Sequence, residues 1–263
     1  MTGRYTTLRH IESLDPTSDY TEIYRLMIAW EFPWDMARAL SLAFLRSFAV
    51  PRISTLLCEA GMADRTAEFV KRFTLLLEEP ARTGFEGVAS RQAISAVNRT
   101  HRDYLIDNDD FRYSLATFVV FPVQWVNRYG WRPLSEHEVT ATVHHYRTLG
   151  KLMGIRDLPD SYADFADLCA AYERDHFAHS ESNRRLLEAA RAVALTGYPK
   201  AFAPMGRIID ALMDPPMAAA FGVRAPAVTR TALHTALLAR ARIVRRMPPR
   251  RTASYRVAKP GFL

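Results

Sequence analysis

The sequence has little cysteine and lacks a long uninterrupted apolar run. Cys58 and Cys169 are the two cysteines among 263 residues, so it contains no disulfide framework, no CxxC motif and no CxxCH haem-attachment motif. The most apolar stretch, residues 36–50, contains two arginines and is too short to span a bilayer. Residues 1–16 lack the apolar core of a signal peptide. These absences predict a cytoplasmic location, with peripheral membrane contact as an open alternative.

Several catalytic signatures are also missing from the sequence. It contains no HExxH motif, no P-loop, no nucleotide-binding glycine fingerprint and no GxSxG elbow. A di-iron carboxylate bundle requires two Glu-x-x-His pairs, and the sequence offers one, Glu173 with His176. His144 and His145 are adjacent and point about 100° apart on a helix, so at most one of them faces inward. Hydrolase and di-iron chemistry therefore have no visible centre.

Apolar residues at helical spacing dominate, and no run alternates apolar and polar residues between hairpin turns. Hydrophobic residues make up 49% of the chain, enough for a sizeable core. The sequence predicts an all-α fold, a single multi-helix bundle over residues 1–247 with a basic tail over residues 248–263. The predicted helices run over residues 19–30, 33–48, 66–79 (stopping before Pro80), 89–105, 108–129 (capped by Asn108, Asp109 and Asp110), 135–154 (with a Ser135–Glu138 capping box), 160–177, 182–195, 207–213 and 228–247.

Positive charge is concentrated near the end of the chain. The net charge is +7, and residues 240–251 contain six arginines. One interpretation is a solvated tail that is extended by its own repulsion, and contact with an anionic membrane is the alternative. No nucleic-acid-binding module is recognisable, and no tryptophan or tyrosine is interleaved with these arginines. The sequence therefore predicts no nucleic-acid partner.

Residues 108–129 form the most informative predicted helix. They are apolar nearly all round, which is typical of a helix buried at the centre of a bundle. Pro122 removes one backbone donor and frees the carbonyl of Phe118, so a kink is expected there. A short polar turn joins the 89–105 helix to this one, and the two are expected to pack as antiparallel neighbours. Such a kinked helix can border a cavity, although irregular packing explains kinks equally well.

A histidine interrupts the apolar face of the 89–105 helix. At about 100° per residue, Val97, His101 and Leu105 share this face, and Asn98 lies at its margin. Such a histidine either makes an ordinary hydrogen bond in the core or binds something. A single interior imidazole with an open second position is what a noncovalent haem requires. The spacing alone leaves both interpretations open.

Residues 98–138, NRTHRDYLIDNDDFRYSLATFVVFPVQWVNRYGWRPLSEHE, resemble the ER-bound oxygenase mpaB and rubber oxygenase catalytic-domain family. The likeness extends through RTLGKLMGIRDLPDSYADF and YERDHFAHSESNRR. Upstream FLRSFAVPRISTLL and the final PPRRTASYR also fit, so most of the chain is covered. The combination of NRxHR, NDDF, RYGWRPLSEHE and LGKLMGI is specific, whereas any single piece is weak.

This resemblance implies an all-α fold with a haem pocket for haem b, a histidine on the iron, and dioxygen as co-substrate. His101 matches the family's iron-binding histidine. Latex clearing proteins cleave polyisoprene double bonds, and the mycophenolate-pathway relative shortens a farnesyl chain. The expected function is therefore a haem-dependent oxygenase that cleaves a carbon–carbon double bond in a lipophilic small molecule. A noncatalytic carrier of an apolar isoprenoid is the alternative.

The chain departs from the rubber-oxygenase branch at two positions. Asn98 stands where that branch has an arginine three residues before the histidine, and Leu115 stands where it has a second histidine. The sequence is more similar to the farnesyl-cleaving branch, so polymer cleavage is not implied. The missing histidine motivates the carrier alternative.

Four residues besides His101 are candidates for the site. Asn98 lies one turn before the histidine and is a candidate to orient a ligand. Lys71 lies about where the rubber-oxygenase branch places a distal lysine, and Lys71 and Thr74 are candidates to polarise dioxygen. Arg102 is a candidate partner for the haem propionates. The predicted catalytic residues are thus Asn98, Lys71 and Thr74, and the predicted cofactor-binding residues are His101, the iron ligand, and Arg102.

Overall fold

A computed structural model describes residues 3–196 and 207–255 of the protein, and these residues form helices joined by turns, with no β-strand among them. The predicted all-α fold is confirmed. The helices are α1 (Thr6–Glu12), α2 (Tyr20–Leu26), α3 (Pro33–Ser47), α4 (Pro51–Glu59), α5 (Thr66–Thr83), α6 (Val88–His101), α7 (Asn108–Tyr129), α8 (Glu136–Leu152), α9 (Tyr162–His176), α10 (Glu181–Ala194), α11 (Pro215–Ala220) and α12 (Ala227–Arg246), and a π-helical turn, π1 (Met27–Glu31), continues α2.

Helix α7 is the centre of the bundle. Helix α3 packs along it most extensively, and α9 packs along another side. Pro122 lies inside α7, and the helix continues on both sides of it. Because α3, α8, α9 and α12 all pack against α7, tertiary packing compensates for the one backbone hydrogen bond that proline cannot make. The predicted buried central helix with an internal proline is confirmed, and its buried apolar side chains include Tyr113, Leu115, Phe118, Val119, Val123, Trp125 and Val126.

Helix α6 packs along α5, and the predicted antiparallel pairing of α6 with α7 is wrong for the described residues. Helix α6 ends at His101, and Leu105, predicted on its apolar face, is fully exposed in the segment that follows. The two helices meet near their ends, where the rings of His101 and Phe111 lie 4.9 Å apart. The long sides of α7 are already covered by α3 and α9, so α6 finds its apolar partner in α5.

Capping residues locate several helix starts. Ser135 and Glu138 form the predicted capping box of α8, and Ser161 caps α9 in the same way. The predicted caps of α7 are wrong by at least one residue. Asp107 is the N-cap, and its carboxylate accepts a hydrogen bond from the backbone N–H of Asp109. Any acid in this short run satisfies the capping pattern, so only the folded backbone selects among them.

Helix α5 continues through Pro80 to Thr83, although the sequence predicted an end before the proline. Leu77 and Ala81 are both buried on the core side of this last stretch. Their burial holds the final turn in helical form, because the packing gain exceeds the cost of one missing hydrogen bond. Helices α1, α4 and α11 were not predicted, since they have only seven, nine and six residues.

A buried ion cluster joins π1 to the start of α8. The Arg132 guanidinium donates to Glu31 at 2.9 Å and to the two oxygens of Glu138 at 2.6 and 2.8 Å. All three side chains are at most 5% exposed. Burial raises the pKa of Glu31, and the charge of Arg132 opposes that rise. The conspicuous segment RYGWRPLSEHE therefore holds the fold together, away from the predicted site.

The basic end of the chain is only partly a tail. Helix α12 packs on α7 with Leu237 and Ala241 buried, and the Arg240 guanidinium pairs with buried Asp35 at 2.8 Å. The solvated-tail interpretation is therefore wrong for residues 240–246, because a helix with an apolar inner face gains more by packing than by extending. The predicted boundary after residue 247 falls next to the end of α12, and residues 256–263 lie outside the described ranges.

Within the described ranges, no single helix combines the length and the apolar composition needed to cross a bilayer. Helices α3 and α4 reach both criteria only when taken together, across a bend of 93°. Most of α3 is buried against α7.

Candidate functional site

An apolar cavity of about 210 Å³ lies among α4, α5, α6, α7 and the end of α8. Few polar side chains reach it, among them His101, Arg72 and Asp110. An enclosed apolar wall with a small number of polar groups is typical of a small-molecule site. Its wall includes Phe69, Phe73, Leu77, Val97, Leu115 and Phe118.

His101 is the last residue of α6, and its half-buried imidazole lines this cavity. The imidazole contacts the ring of Phe111 and has no hydrogen-bond partner in the described part of the chain. Burial lowers the pKa of His101 below its ordinary value of 6.5. The ring is therefore neutral at pH 7, and one ring nitrogen keeps a lone pair available to a metal or a donor.

The other predicted site residues do not line the cavity. Lys71 is exposed on α5, Thr74 is buried elsewhere in the core, and Arg102 is exposed just after α6. The residues of α5 that line the cavity are Phe69, Arg72, Phe73, Leu76 and Leu77, which share one helical face. Positions 71 and 74 lie off this face. The cavity therefore gives no support to the predicted roles of Lys71, Thr74 and Arg102, which stay predictions.

Asn98 faces the end of α8, and its side-chain amide donates to the Leu152 carbonyl at 2.9 Å. Across the 102–107 segment, Asn108 donates to the carbonyl of Arg156 at 3.3 Å and accepts from its N–H at 2.9 Å. The two asparagines thus connect both sides of the segment that follows His101 to the end of α8 and to the loop after it. This geometry supports a role for Asn98 in holding the last turn of α6. Such a role would position His101 and differs from the predicted direct contact with a ligand.

Replacing Asn98 by alanine is expected to lower the free energy of unfolding by about 1 kcal/mol, the usual net value of one hydrogen bond. It leaves the Leu152 carbonyl without its partner, so the backbone amides of residues 98–103 should exchange with deuterium faster. Urea denaturation and hydrogen exchange measure the two effects. Ser95→Ala, at an exposed position of α6, is the matched control. Equal exchange in both variants would contradict the role of Asn98.

Asp110 connects the cavity wall to a buried polar network. Its carboxylate accepts hydrogen bonds from Arg52 at 2.6 Å and from the hydroxyl of Tyr172. Tyr172 belongs to α9, so this carboxylate links α4, α7 and α9 around one side of the cavity. The sequence predicted Asp110 to be a helix cap. Its burial beside the apolar face of α7 is the signal that points to a second role.

The Glu173–His176 pair has structural partners. Glu173 forms a buried ion pair with Arg46 and accepts a hydrogen bond from the hydroxyl of Tyr113 at 3.1 Å. A ring nitrogen of His176 lies 3.0 Å from the carbonyl oxygen of Tyr172. In residues 3–196 and 207–255, no group of three or more histidine, cysteine or acidic side chains is placed to hold a metal ion. The di-iron interpretation therefore finds no ligand set there.

His145 is a second interior histidine, on α8. It is 1% exposed, its ring stacks on Tyr24 with centroids 3.9 Å apart, and Phe85 lies at 4.9 Å. Its Nδ1 has no hydrogen-bond partner in the described ranges. His144 is half-buried beside it, so the prediction that at most one of the two faces inward is confirmed. Complete burial lowers the pKa of His145 from 6.5 to about 3.

The lowered pKa of His145 predicts acid sensitivity. Below pH 6.5 His145 binds a proton in the unfolded chain but not in the folded chain. The free energy of unfolding therefore falls from pH 6.5 down to about pH 3. At pH 5 the loss from this residue is about 2 kcal/mol. His145→Leu removes the group that titrates. Between pH 7.5 and pH 5 the free energy of unfolding should therefore fall by about 2 kcal/mol less in this variant than in the parent protein. His10→Gln, at an exposed position, should keep the parent's profile. Parallel profiles for the parent and His145→Leu would count against this cause.

Fold and site together define an all-α protein in which one neutral, unpartnered imidazole faces an apolar cavity. The chain belongs to the family described as ER-bound oxygenase mpaB/B′/rubber oxygenase, catalytic domain, whose model matches residues 51–245. The matched region contains every helix that lines the cavity from α4 onward. The family suggested by the sequence is confirmed.

Individual relatives agree with this assignment. ER-bound oxygenase mpaB′ of Penicillium brevicompactum is 29% identical over 253 residues, covering 88% of this chain and 60% of that protein. ER-bound oxygenase mpaB of Penicillium roqueforti (strain FM164) is 30% identical over 195 residues, covering 67% and 65%. The chain thus spans about three fifths of the length of these relatives. A structure of latex clearing protein in the closed state aligns with a TM-score of 0.60 at 13% identity, covering 93% of this chain and 73% of that one, which shows a shared fold.

The comparisons correct the predicted location. Three curated relatives are named ER-bound oxygenases, which points to association with the membrane of the endoplasmic reticulum. The plainly cytoplasmic prediction is therefore wrong. It rested on the lack of a long apolar run, and that criterion does not detect a protein that attaches to a membrane through its surface.

The cavity residues fit a haem in their chemistry. His101 offers one neutral nitrogen without a partner, and this nitrogen would hold the haem iron. The apolar wall suits the macrocycle, and Arg72 places a cation at the cavity for a propionate. The volume lies below the roughly 300–1,000 Å³ usual for small-molecule sites. Binding a macrocycle therefore requires side chains of the wall to move apart.

Proposed function

We propose that the chain is a haem-dependent oxygenase that acts on an apolar, prenyl-type small molecule with dioxygen as co-substrate. The observation that carries the proposal is the unpartnered neutral imidazole of His101 at an apolar cavity, in a chain of an oxygenase family. Haem b, when bound, supplies the redox chemistry with dioxygen. The rest of the function falls to the chain's own residues.

The side chains of the cavity bind, orient and exclude water. His101 holds the iron through one ring nitrogen. Arg72, which pairs with Glu68 at 2.7 Å on an exposed face, exchanges that partner for a propionate. Leu115 and Phe118 hold the branched hydrocarbon chain by apolar contact. Because the wall offers few hydrogen bonds, the substrate is selected by shape and by burial of apolar surface.

The proposed reaction is oxidative cleavage of a carbon–carbon double bond. The double bond breaks, and each of its two carbons receives one oxygen atom of dioxygen, which gives two carbonyl fragments. The sequence resembles the farnesyl-cleaving branch more than the polymer-cleaving one. The proposed substrate is therefore a small prenylated or otherwise lipophilic metabolite.

Incubation of haem-loaded protein with farnesylated and polyprenyl compounds, with and without air, tests this reaction. Under oxygen-18 gas, mass spectrometry should find label in both carbonyl fragments, and anaerobic samples should show no product. Freshly formed carbonyls are analysed at short times, because exchange with water removes label. A labelled hydroxylated product of intact length would replace cleavage with monooxygenation.

A carrier for an apolar isoprenoid is the second candidate. It is favoured by the position of Lys71 and Thr74 off the cavity and by Leu115, where the rubber-oxygenase branch has a histidine. A carrier should bind a prenylated ligand equally well with and without haem. Isothermal titration of both forms makes this comparison. Oxygen consumption that depends on added substrate would exclude a purely carrying role.

We also propose that the protein acts at the membrane of the endoplasmic reticulum, as the names of its relatives suggest. Prenylated metabolites partition into bilayers because they are apolar. A protein that works at the bilayer surface meets them at high local concentration. Cell fractionation of the full-length protein with markers for each compartment tests this location.

A further inference from the structure

The charges of the chain are divided sharply along the sequence. All 28 acidic residues lie within residues 1–214, whereas the last 49 residues contain ten lysines and arginines and no acid. The net charge of +7 therefore comes from this last part. Within it, α12 contains five of these ten basic residues and packs on α7, so α12 presents positive charge at a defined place on the surface.

A shallow groove of about 530 Å³ runs between α1, the end of α7 and α12. Arg128, Arg242 and Arg245 contribute to its lining, together with the apolar Leu8 and Leu238. No acidic residue is among the lining side chains of the described ranges. The groove meets α7 from residue 127 onward, whereas the His101 cavity meets it at residues 110–118, so the two are separated by about 14 Å or more of helix at 1.5 Å rise per residue. It is a separate site.

Three of the four arginines that line this groove lack carboxylate partners in the described parts of the chain. Arg132, at the base of the groove, is neutralised by two glutamates, and Arg240 by Asp35. Arg128, Arg242 and Arg245 are exposed and form no ion pair among residues 3–196 and 207–255. Several unpaired guanidinium groups around one groove match a phosphate, which arginine binds through paired hydrogen bonds.

Apolar side chains are also exposed at the end of α12 and at the start of α1. Ile243 is 61% exposed and Met247 is 53% exposed, and Tyr5 at the rim of the groove is 41% exposed. A basic helix with exposed apolar residues next to its arginines is typical of a helix that lies at a membrane interface. Free phosphate does not use the apolar residues, and single-stranded nucleic acid needs a row of stacking aromatics that α12 lacks.

We propose that the groove formed by Arg128, Arg242 and Arg245 seats the phosphate headgroup of an anionic phospholipid, and that Ile243 and Met247 enter the interface beside it. This contact docks the protein on a bilayer through α12. The surface leaves the His101 cavity untouched, so lipid binding and haem binding are separable.

Flotation of the full chain with vesicles tests the proposal. We expect binding to phosphatidylcholine vesicles with 30% phosphatidylserine and at least tenfold weaker binding to pure phosphatidylcholine. The double variant Arg242→Gln, Arg245→Gln should bind the vesicles that contain phosphatidylserine about 30-fold more weakly, which is the effect of two surface charges. The double variant Ile243→Ser, Met247→Ser keeps the charge of the protein and should bind the same vesicles several-fold more weakly. Arg99→Gln with Lys151→Gln removes two exposed charges elsewhere and should change this binding less than threefold.

Circular dichroism and thermal melting establish that each variant is folded, and the haem spectrum shows whether its other site is intact. Equal binding by the groove variant and the control variant would overturn the proposal, since net charge alone would then explain attachment. Binding to inorganic phosphate without binding to vesicles would overturn it as well. So would stronger binding to an oligonucleotide than to the anionic vesicles.

Discussion

Replacing His101 by alanine is expected to abolish haem binding and to leave the protein folded. The imidazole makes no hydrogen bond in the described structure, so its removal costs only the burial of a partly exposed ring, about 1 kcal/mol or less. The proposed haem, in contrast, would lose the residue that holds its iron. Titration of the haem-free protein with haemin, followed by its Soret absorbance and by thermal melting, measures both effects.

Two controls separate loss of the iron ligand from a general effect of removing a histidine. His10→Ala removes an exposed histidine of α1 and should keep full haem binding. Added imidazole should restore haem binding to His101→Ala, because a free ligand can occupy the space of the missing ring. Full haem binding by His101→Ala without imidazole would remove His101 from the site. If His101→Ala loses both its folded structure and its haem absorbance, His101 is instead a core residue.

Replacing Arg132 by methionine is expected to cost about 3–5 kcal/mol of stability, which is a large part of the total for a domain of this kind. Methionine matches the length of the side chain but leaves Glu31 and Glu138 buried without their shared partner. Guanidinium denaturation at pH 7.5 measures the loss. Arg184→Met, at an exposed ion pair on α10, should leave the free energy of unfolding nearly unchanged, because water screens that pair.

The cause of the Arg132 effect can be separated from loss of packing. Adding Glu31→Gln and Glu138→Gln to Arg132→Met removes the two uncompensated charges, and glutamine keeps the capping function at position 138. We expect the triple variant to recover a substantial part of the lost stability. If it is no more stable than Arg132→Met, the unpaired carboxylates are not the reason for the loss.

Local signals predicted much of the fold. Ser135 and Glu138 locate the start of α8 because a capping box needs residues only three positions apart. Continuous apolarity over residues 108–129 indicates a buried central helix, since no face of it suits water. The same logic fails at Pro80, where burial of the neighbouring helix face overrides a local stop signal. It fails again at Leu105, because the apolar period continues past the point where α6 ends.

The sequence by itself determined the class of fold, the family and the position of His101, where an imidazole stands on the apolar face of α6. Those features depend on spacing along one helix or on a string of residues, and both are visible without a structure. Only the tertiary structure decided what surrounds that imidazole. Whether Arg72 or Lys71 meets the cavity depends on how α5 is rotated against α6, and whether Asn98 contacts a ligand or the carbonyl of Leu152 depends on where α8 ends. These choices are made by packing between distant segments, which no local pattern records.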